Sequence, residues 1–503
     1  MDIFIGLSTV ASSPALLAWI VAAAVIGMTV GAIPGLTASA AIAMLLPLTF
    51  YMEPLSALAF LYVIGKSGRY GGSIAAILFN TPGTAASAVT QIDGYPLSQR
   101  GMSSKAMKVA TVSSVIGDFT GDLLLIVAVG WLAAIALKLG PPELFAVYFA
   151  AFVVIGSVIG KSIIKGLISA ALGVLLRTVG LDPITAEDRF TFGLFELNGG
   201  LSLVPLMIGI FVLGEVFSQL DRMKDKVEQY DEPSSEDEKA RNRLTWEEYK
   251  PCMPHVMRSS VIGALIGVMP GLGSAIAAFV AYGEGKRRAK NPEEWGKGAL
   301  EGIAAPEAAN NAVSGPSMAP LLTLGIPGST IGAILIGVFL IHGIQVGPTL
   351  FLTSRELVYS LFAAGLIGIA SYGLIGYFGA AWLGRIILRI PNKILYPMIF
   401  LTAFVSAYAA RGSLFDVWVM LLAGILGWLM LKLDFNPAAF IISFVLAGGA
   451  EETFRQSLRL SDSGVLIFVQ RPIAFAFLVL GVLVIFMRAR SLRMQAKPAG
   501  KAE

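Results

Sequence analysis

The stretch Gly-Ala-Ile-Pro-Gly-Leu at residues 31–36 recurs as Gly-Val-Met-Pro-Gly-Leu at residues 267–272. A second pair follows in the same order, Asn-Thr-Pro-Gly-Thr at 80–84 and Gly-Ile-Pro-Gly-Ser at 325–329. The members of the two pairs are 236 and 245 residues apart. Two Pro-Gly pairs alone are a weak signal in a chain with 55 Gly and 25 Pro. Their shared order and nearly equal spacing indicate an internal duplication.

Composition places the duplicated chain in a membrane. Of its 503 residues 56% are hydrophobic and 14% are charged, whereas soluble proteins have about 25% charged residues. Apolar runs of about 20 residues, long enough to cross a bilayer as helices, recur throughout. Their backbone polar groups must be paired within the segment, so we predict an all-α polytopic protein of about ten to twelve transmembrane helices. The clearest runs lie near 15–31, 108–138, 142–160, 163–180, 201–219, 357–385, 396–410, 416–432 and 470–487.

Charged loops predict how the two halves are threaded. A polar segment, Asp221–Pro254, divides the chain near its middle. Basic residues at 286–290 follow the first Pro-Gly stretch of the second half, and basic residues at 100–108 follow the second Pro-Gly stretch of the first half. Of the equivalent loops in the opposite halves, 51–54 has Glu53 as its only charge and the loop around 346–356 has Arg355 as its only basic residue. Since Lys and Arg favour the cytoplasmic side, we predict two inverted repeats, as in many secondary transporters. The predicted units are a first membrane repeat at 1–220, a cytoplasmic linker at 221–257, a second membrane repeat at 258–488 and a cytoplasmic tail at 489–503.

Several classes of protein are disfavoured by what the sequence lacks. Its single cysteine, Cys252, excludes an internal disulfide, and there are two histidines and no H-E-x-x-H, G-x-S-x-G or phosphate-loop motif. We therefore predict neither an enzyme nor an NTP-driven pump, and no cofactor. The net charge of +4 does not suggest nucleic-acid binding. A passive channel stays open as an alternative.

The Pro-Gly stretches are the predicted binding sites. Pro and Gly interrupt helices, and a broken helix in a bilayer must meet water, an ion or a substrate. Helix N-termini suit anions. We predict two re-entrant or broken-helix tips that meet near the membrane midplane and bind substrate, with close helix packing by small residues as the alternative. The predicted substrate-binding residues are Asn80, Thr81, Pro82, Gly83, Thr84, Gly325, Ile326, Pro327, Gly328, Ser329 and Thr330.

Other polar residues are candidates for a coupling ion or a gate. Ionisable groups at membrane depth are rare and usually functional, although Glu307 could instead cap a helix start. Unwound carbonyls suit sodium, which we place near the first Pro-Gly stretch of each half. The coupling-ion or gating candidates are Gly35, Gly271, Glu307, Asn310 and Asn311, and the sodium candidates are Pro34, Gly35, Pro270 and Gly271.

Four further charged residues lie within apolar stretches, and each pair has two interpretations. Lys66 and Arg69 could attract an anionic substrate, but we expect them to extend their charged ends to the membrane surface. Asp118 and Asp122, one helical turn apart, could form a second polar face, although a structural role is the simpler reading.

At these motifs the chain resembles the large membrane subunit of the tripartite tricarboxylate transporters, the TctA family. The resemblance extends from about Gly27 to Pro472, and its most specific stretches are residues 70–101 and 301–351. The stretch Arg-Phe-Thr-Phe-Gly at 189–193 also fits. The resemblance implies a bacterial inner-membrane, multi-pass permease for citrate-like di- or tricarboxylates, coupled to Na⁺ or H⁺.

The resemblance also implies partners and a mechanism. They are a small TctB-like membrane subunit and a periplasmic TctC-like substrate-binding protein, and a second copy of the chain is a further candidate. The chain departs from many members at Lys66-Ser67-Gly68-Arg69, where a small uncharged stretch is common, and at Ala85, where a proline is common. We therefore predict a carboxylate symporter subunit without assuming citrate, and favour an elevator motion. A stand-alone carrier or channel without a binding protein is the alternative.

Overall fold

The computed structural model describes residues 2–33, 36–158, 162–222, 241–388 and 392–495. Nearly all of them are helical, which confirms the predicted fold class. The α-helices are α1 Asp2–Ala11, α2 Pro14–Ala32, α3 Ala38–Leu45, α4 Pro54–Phe79, α5 Ser87–Leu97, α6 Ser103–Ala136, α7 Pro141–Val158, α8 Ile163–Arg177, α9 Leu203–Met207, α10 Gly214–Arg222, α11 Trp246–Tyr249, α12 Met253–Val268, α13 Gly273–Arg288, α14 Leu300–Ala312, α15 Met318–Leu324, α16 Thr330–Ile341, α17 Leu350–Thr353, α18 Arg355–Leu388, α19 Asn392–Arg411, α20 Leu414–Lys432, α21 Pro437–Arg459, α22 Ile467–Gln470 and α23 Pro472–Gln495. Two-residue antiparallel strands, β1 Gly180–Leu181 and β2 Asp188–Arg189, form a small hairpin.

Six helical segments of the described residues are long and apolar enough to cross a membrane. A seventh span is counted if Gly464–Gln470 and Pro472–Phe486, bent by 87°, are taken together. This number is below the ten to twelve predicted, because several apolar stretches, among them Pro141–Ser157 and Thr330–Ile341, form shorter helices. The six are Pro14–Ala32, Ser87–Ala136, Leu203–Asp221, Arg355–Ala380, Leu414–Lys432 and Pro437–Arg459.

The outer surface suits a lipid environment. Large apolar side chains are exposed along several long helices, including Trp131 on α6, Phe378 on α18 and Trp418 on α20. A water-soluble protein rarely exposes so much contiguous apolar surface. Their exposure fits helices that present one side to acyl chains, and it supports the assignment as a multi-pass membrane protein.

Helix α4 lies at the centre of the molecule. Every residue from Ala57 to Phe79 is buried, and α4 packs on α2 through glycines. A Cβ added at Gly71 would lie 2.4 Å from the carbonyl oxygen of Met28, and one added at Gly31 would lie 2.3 Å from that of Gly68. Only glycine permits such approach, as at many helix contacts in membranes.

Two helix ends recur along the chain at the spacing of the repeated Pro-Gly stretches. Helix α2 ends before an extended residue, Ile33, and α12 ends before an extended residue 236 positions later, Met269. Helix α4 ends at a left-handed Asn80, and α15 ends at a left-handed Gly325, 245 positions later. Helices α6 and α18 each have 34 residues. The opposite orientation of the two halves stays a prediction.

Three basic segments lie close together on one side of the bundle. Lys105, near the start of α6, forms an ion pair of 2.6 Å with Glu248 after the central linker. Asp93 of α5 accepts hydrogen bonds from the backbone N–H groups of Gly296, Gly298 and Ala299, which follow the basic end of α13. A common cytoplasmic side for these segments stays a prediction. Most of the predicted linker, 223–240, and the end of the tail, 496–503, lie outside the described residues.

The loop after α8 is stabilised by ion pairs outside the spans. Arg455 donates to both carboxylate oxygens of Asp182, at 3.1 and 2.7 Å. These hydrogen bonds, with those from the N–H groups of Thr185 and Ile184, hold the pKa of the Asp182 carboxyl below its usual range. The hairpin is therefore anchored to the end of α21.

Candidate functional site

A cavity of about 310 Å³ lies where the predicted tips of both halves approach each other. Its volume is at the lower end of ligand pockets, which span about 300–1,000 Å³, so it suits a small molecule. The lining residues are Thr37, Ala38, Ser39, Arg69, Thr84, Ala85, Gly271, Leu272, Gly273, Ser274, Ala275, Gly328, Ser329, Thr330, Ile331, Ala438 and Ile442.

Several helices begin at this cavity. Thr37 caps α3 by accepting a hydrogen bond from the N–H of Ala40, and Ser329 caps α16 by accepting one from Gly332. Helix α13 begins at the lining residue Gly273, and α5 begins just after the lining residue Ala85. Each N-terminus carries a partial positive charge, and the starts of α3, α13 and α16 present N–H groups without an intrahelical partner. At the start of α5 the N–H groups of Ser87, Ala88 and Val89 are already paired with Thr84 and Ala86. The convergence of these N-termini makes the cavity favourable for an anion.

Arg69 brings a full positive charge to the same cavity. Its residue is only 8% exposed, and its Nε has no hydrogen-bond partner among the described residues. The prediction that Arg69 and Lys66 reach the membrane surface is wrong, because both lie inside the bundle on the buried part of α4, from Ala57 to Phe79. Sequence analysis gave attraction of an anionic substrate as the alternative, and only the tertiary fold shows which side of α4 faces the cavity.

The first predicted tip reaches the cavity only in part. Asn80 has a left-handed backbone (φ 55°), and its carbonyl oxygen accepts a hydrogen bond from Gln91 at 2.9 Å. Asn80, Thr81 and Pro82 are exposed and lie outside the lining, and Gly83 is buried. Thr84 is the predicted residue of this tip that lines the cavity.

The second tip contributes more of its predicted residues. Gly325 has a left-handed backbone (φ 71°), Ile326 and Pro327 are buried, and these three residues lie outside the lining. Gly328, Ser329 and Thr330 line the cavity. The structure thus brings Thr84 from one half together with three predicted residues of the other.

The sodium candidates are only partly described. Pro34 and Gly35 lie outside the described residues. Gly271 lines the cavity, and its N–H donates to the carbonyl oxygen of Gly328 at 3.2 Å, whereas Pro270 is half-buried outside the lining. The described residues contain no cluster of three or more His, Cys, Asp or Glu side chains suited to a metal ion. Sodium at this position stays a prediction.

Glu307 occupies a separate polar site at the contact between the halves. It is fully buried in the middle of α14, so the alternative that it caps a helix start is wrong. Its carboxylate accepts hydrogen bonds from three hydroxyl groups of the first half: Ser73 at 2.5 Å, Ser114 at 2.8 Å, and Thr90. Uncharged donors thus surround a potentially charged group.

The two asparagines that follow Glu307 are buried beside it. Asn311 donates to Ser114 at 2.9 Å and to the carbonyl oxygen of Glu307 at 3.0 Å. The side-chain oxygen of Asn311 and both side-chain polar atoms of Asn310 have no hydrogen-bond partner among the described residues. Buried amides are normally paired, so these oxygens are available as neutral ligands.

Lys66 forms a third buried site. Its Nζ lies 2.6 Å from Asp118 Oδ1 and 2.8 Å from Asp122 Oδ1, and all three side chains are essentially inaccessible to solvent. Tyr372 donates to Asp118 at 3.2 Å, and Tyr62 lies 3.4 Å from Asp122. The i, i+4 spacing of the two aspartates was the sequence signal. A lysine on another helix as their partner could not be inferred from it.

The sequence of this chain matches one family model and two proteins of Agrobacterium vitis. A model of the tripartite tricarboxylate transporter TctA family matches residues 17–442. An Agrobacterium vitis protein, described as an uncharacterized 52.8 kDa protein in the TAR-I ttuC' 3' region, is 36% identical over 493 residues, which cover 96% of this chain and 95% of that protein. A second Agrobacterium vitis protein, from the TAR-II ttuC' 3' region, is 36% identical over 230 residues, covering 45% of this chain and 93% of its own length. The chain therefore belongs to the tripartite tricarboxylate transporter TctA family.

Proposed function

We propose that this chain is the large permease subunit of a binding-protein-dependent secondary transporter that imports small di- or tricarboxylates by cation symport. Family membership supports a tricarboxylate transporter subunit. The finer proposal rests on the cavity: a small site lined by Arg69 and by the starts of several helices favours an anion that lipid would reject. We assign substrate binding to Thr84, Ser329 and Thr330, with the other predicted tip residues shaping the loops that hold them.

A coupling cation is proposed at Glu307. No positively charged side chain of the described residues forms an ion pair with its carboxylate. A buried anion without a counter-charge is costly, so a proton on the carboxylate or a sodium ion beside it would stabilise the site. The unpaired oxygens of Asn310 and Asn311 suit sodium, which prefers oxygen ligands. Because Glu307 is hydrogen-bonded to hydroxyl groups of the first half, binding of the cation would depend on how the two halves are arranged.

Family membership supports a proposal for the partners of this chain and for its location in the cell. We propose a small TctB-like membrane subunit and a periplasmic TctC-like binding protein, in a bacterial inner membrane. A homodimer is a further candidate assembly. The alternatives are a stand-alone carrier, which would transport without a binding protein, and a channel, which would only equilibrate its substrate.

The test is uptake of radiolabelled carboxylates into proteoliposomes with imposed Na⁺ or H⁺ gradients. A symporter accumulates substrate above the outside concentration only when the gradient is present. Ser329→Leu should abolish uptake because the larger side chain fills the cavity, whereas Ser8→Leu on the exposed face of α1 should not. Equilibration without accumulation would identify a channel. Equal uptake by both variants would remove the cavity from the transport path.

A further inference from the structure

We infer that Arg69 binds one carboxylate of the substrate directly while helix N-termini of the same cavity bind a second, so that the chain selects dianions over monocarboxylates. This inference rests on the proposed function and deepens it, since it assigns the binding group and the substrate charge.

The first argument is that Arg69 is buried while its guanidinium has an N–H donor without a hydrogen-bond partner among the described residues. A buried guanidinium is normally paired, because an unsatisfied charge away from water is costly. Yet Arg69 is 8% exposed, its Nε is unpartnered, and the ion pairs of the described residues do not include it. A planar fork of N–H donors matches a carboxylate in a bidentate arrangement. The unused donors face a cavity large enough for a small acid.

The second argument explains how Arg69 stays charged without a direct partner. One turn earlier on α4, Lys66 pairs with two carboxylates, Asp118 and Asp122, which leaves one excess negative charge if all three are ionised. Asp118 also acts electrostatically on Arg69. The cluster therefore offsets part of the cost of burying the charge of Arg69 and leaves its hydrogen-bonding capacity for a ligand. Lys66 and the two aspartates act here as positioning residues.

The third argument concerns the second negative charge. Helices α13 and α16 begin in the cavity wall at Gly273 and Thr330, on elements other than α4. Their N–H groups and partial positive charge favour another anionic group. The remaining wall includes the apolar side chains of Ala438 and Ile442 on α21. Two separate anion-binding features and one apolar wall suit a short-chain acid with two carboxylates.

The experiment is a binding titration of the purified full-length chain in lipid nanodiscs. The probes are succinate, malate, tartrate and citrate, with butyrate as the four-carbon monocarboxylate matched to succinate. We expect wild-type protein to bind at least one dicarboxylate and to bind butyrate at least tenfold more weakly. Arg69→Gln should weaken dicarboxylate binding roughly 10- to 150-fold, the range for loss of charge-assisted hydrogen bonds. Arg69→Lys, which keeps the charge without the fork, should fall between the two.

A matched control separates binding from folding. Arg355→Gln removes an exposed arginine that pairs with Asp2 at 2.5 Å, far along the chain from the cavity residues, and should bind like wild type. Each variant is compared for monodisperse elution and for protection of the buried Cys252 thiol. If Arg69→Gln is folded and binds dicarboxylates as tightly as wild type, the inference is overturned while the proposed function stands. Equal binding of butyrate and succinate overturns the selection of dianions, and failure of wild type to bind any acid of the panel overturns the proposed function itself.

Discussion

Among single substitutions of the buried charged residues, Lys66→Met should lower the free energy of unfolding the most. Methionine has a similar length and no charge, so packing is largely kept. The ammonium that now lies 2.6 and 2.8 Å from the carboxylates of Asp118 and Asp122 would be lost. Two adjacent buried carboxylates would then face each other without a direct ion-pair partner.

The size of the effect follows from burial. Removing one partner of a buried ion pair costs about 3–5 kcal/mol, because the other charge remains away from water. Lys432→Met provides the matched control, since Lys432 pairs with Asp221 at 3.1 Å and both side chains are 52% exposed. An exposed pair contributes about 0–1 kcal/mol. We therefore expect the two Lys→Met variants to differ by about 2–5 kcal/mol.

The thiol of Cys252 can be used to measure the free energy of unfolding of each variant. Cys252 is its single cysteine and is fully buried, so a thiol-reactive dye labels it only on unfolding. The free energy of unfolding is read from the denaturant dependence of labelling. Converting Asp118 and Asp122 to asparagine in the Lys66→Met background should recover part of the loss, because the two carboxylates that Lys66 paired with are gone and Arg69 is the charge of this cluster that remains buried. Equal stability of the two Lys→Met variants, or no recovery in the triple variant, would refute the electrostatic argument.

Three further predictions use other contacts. Gly83→Ala should abolish uptake or lower the free energy of unfolding by several kcal/mol, because the added Cβ would lie 2.3 Å from a backbone carbonyl oxygen. Gly283→Ala is the control: its Cβ would meet nothing within 4 Å, so it should be neutral or slightly stabilising. Uptake and labelling of Cys252 measure both variants. Asp93→Ala should lower the free energy of unfolding by about 3 kcal/mol or more, because three N–H groups lose their acceptor; unchanged stability would contradict this. Single cysteines at Lys286 and Arg100, in a chain without the native thiol, should both resist an impermeant reagent added outside; labelling of either would overturn the predicted inverted topology.

Local sequence patterns predicted the broken helices well. Proline and glycine act on the backbone at their own positions, so the ends of α4 and α15 at Asn80 and Gly325 could be anticipated within a residue or two. Which loop residues face the cavity could not. The left-handed backbone at Asn80 redirects the chain so that Thr84, and not Asn80, lines it.

The charged residues show a different limit of sequence reasoning. Lys66 and Arg69 on an apolar helix suggested a position near the surface, since isolated charges avoid the bilayer. Their burial depends on α4 being enclosed on all sides, and on Asp118 and Asp122 arriving from α6. Such information is spread over distant parts of the chain. The buried setting of Glu307 was closer to expectation because its polar neighbours follow it on the same helix.

The glycine contacts around α4 limit how the protein can change shape. The peptide backbones of α2, α4 and the first tip touch directly, since side chains at Gly31, Gly71 or Gly83 would collide with neighbouring main-chain atoms. Surfaces in such contact cannot slide past one another without separating. We therefore predict that the first tip and these two helices move as a single rigid block, and that any opening and closing of the cavity comes from displacement at the boundary between this block and the surrounding helices.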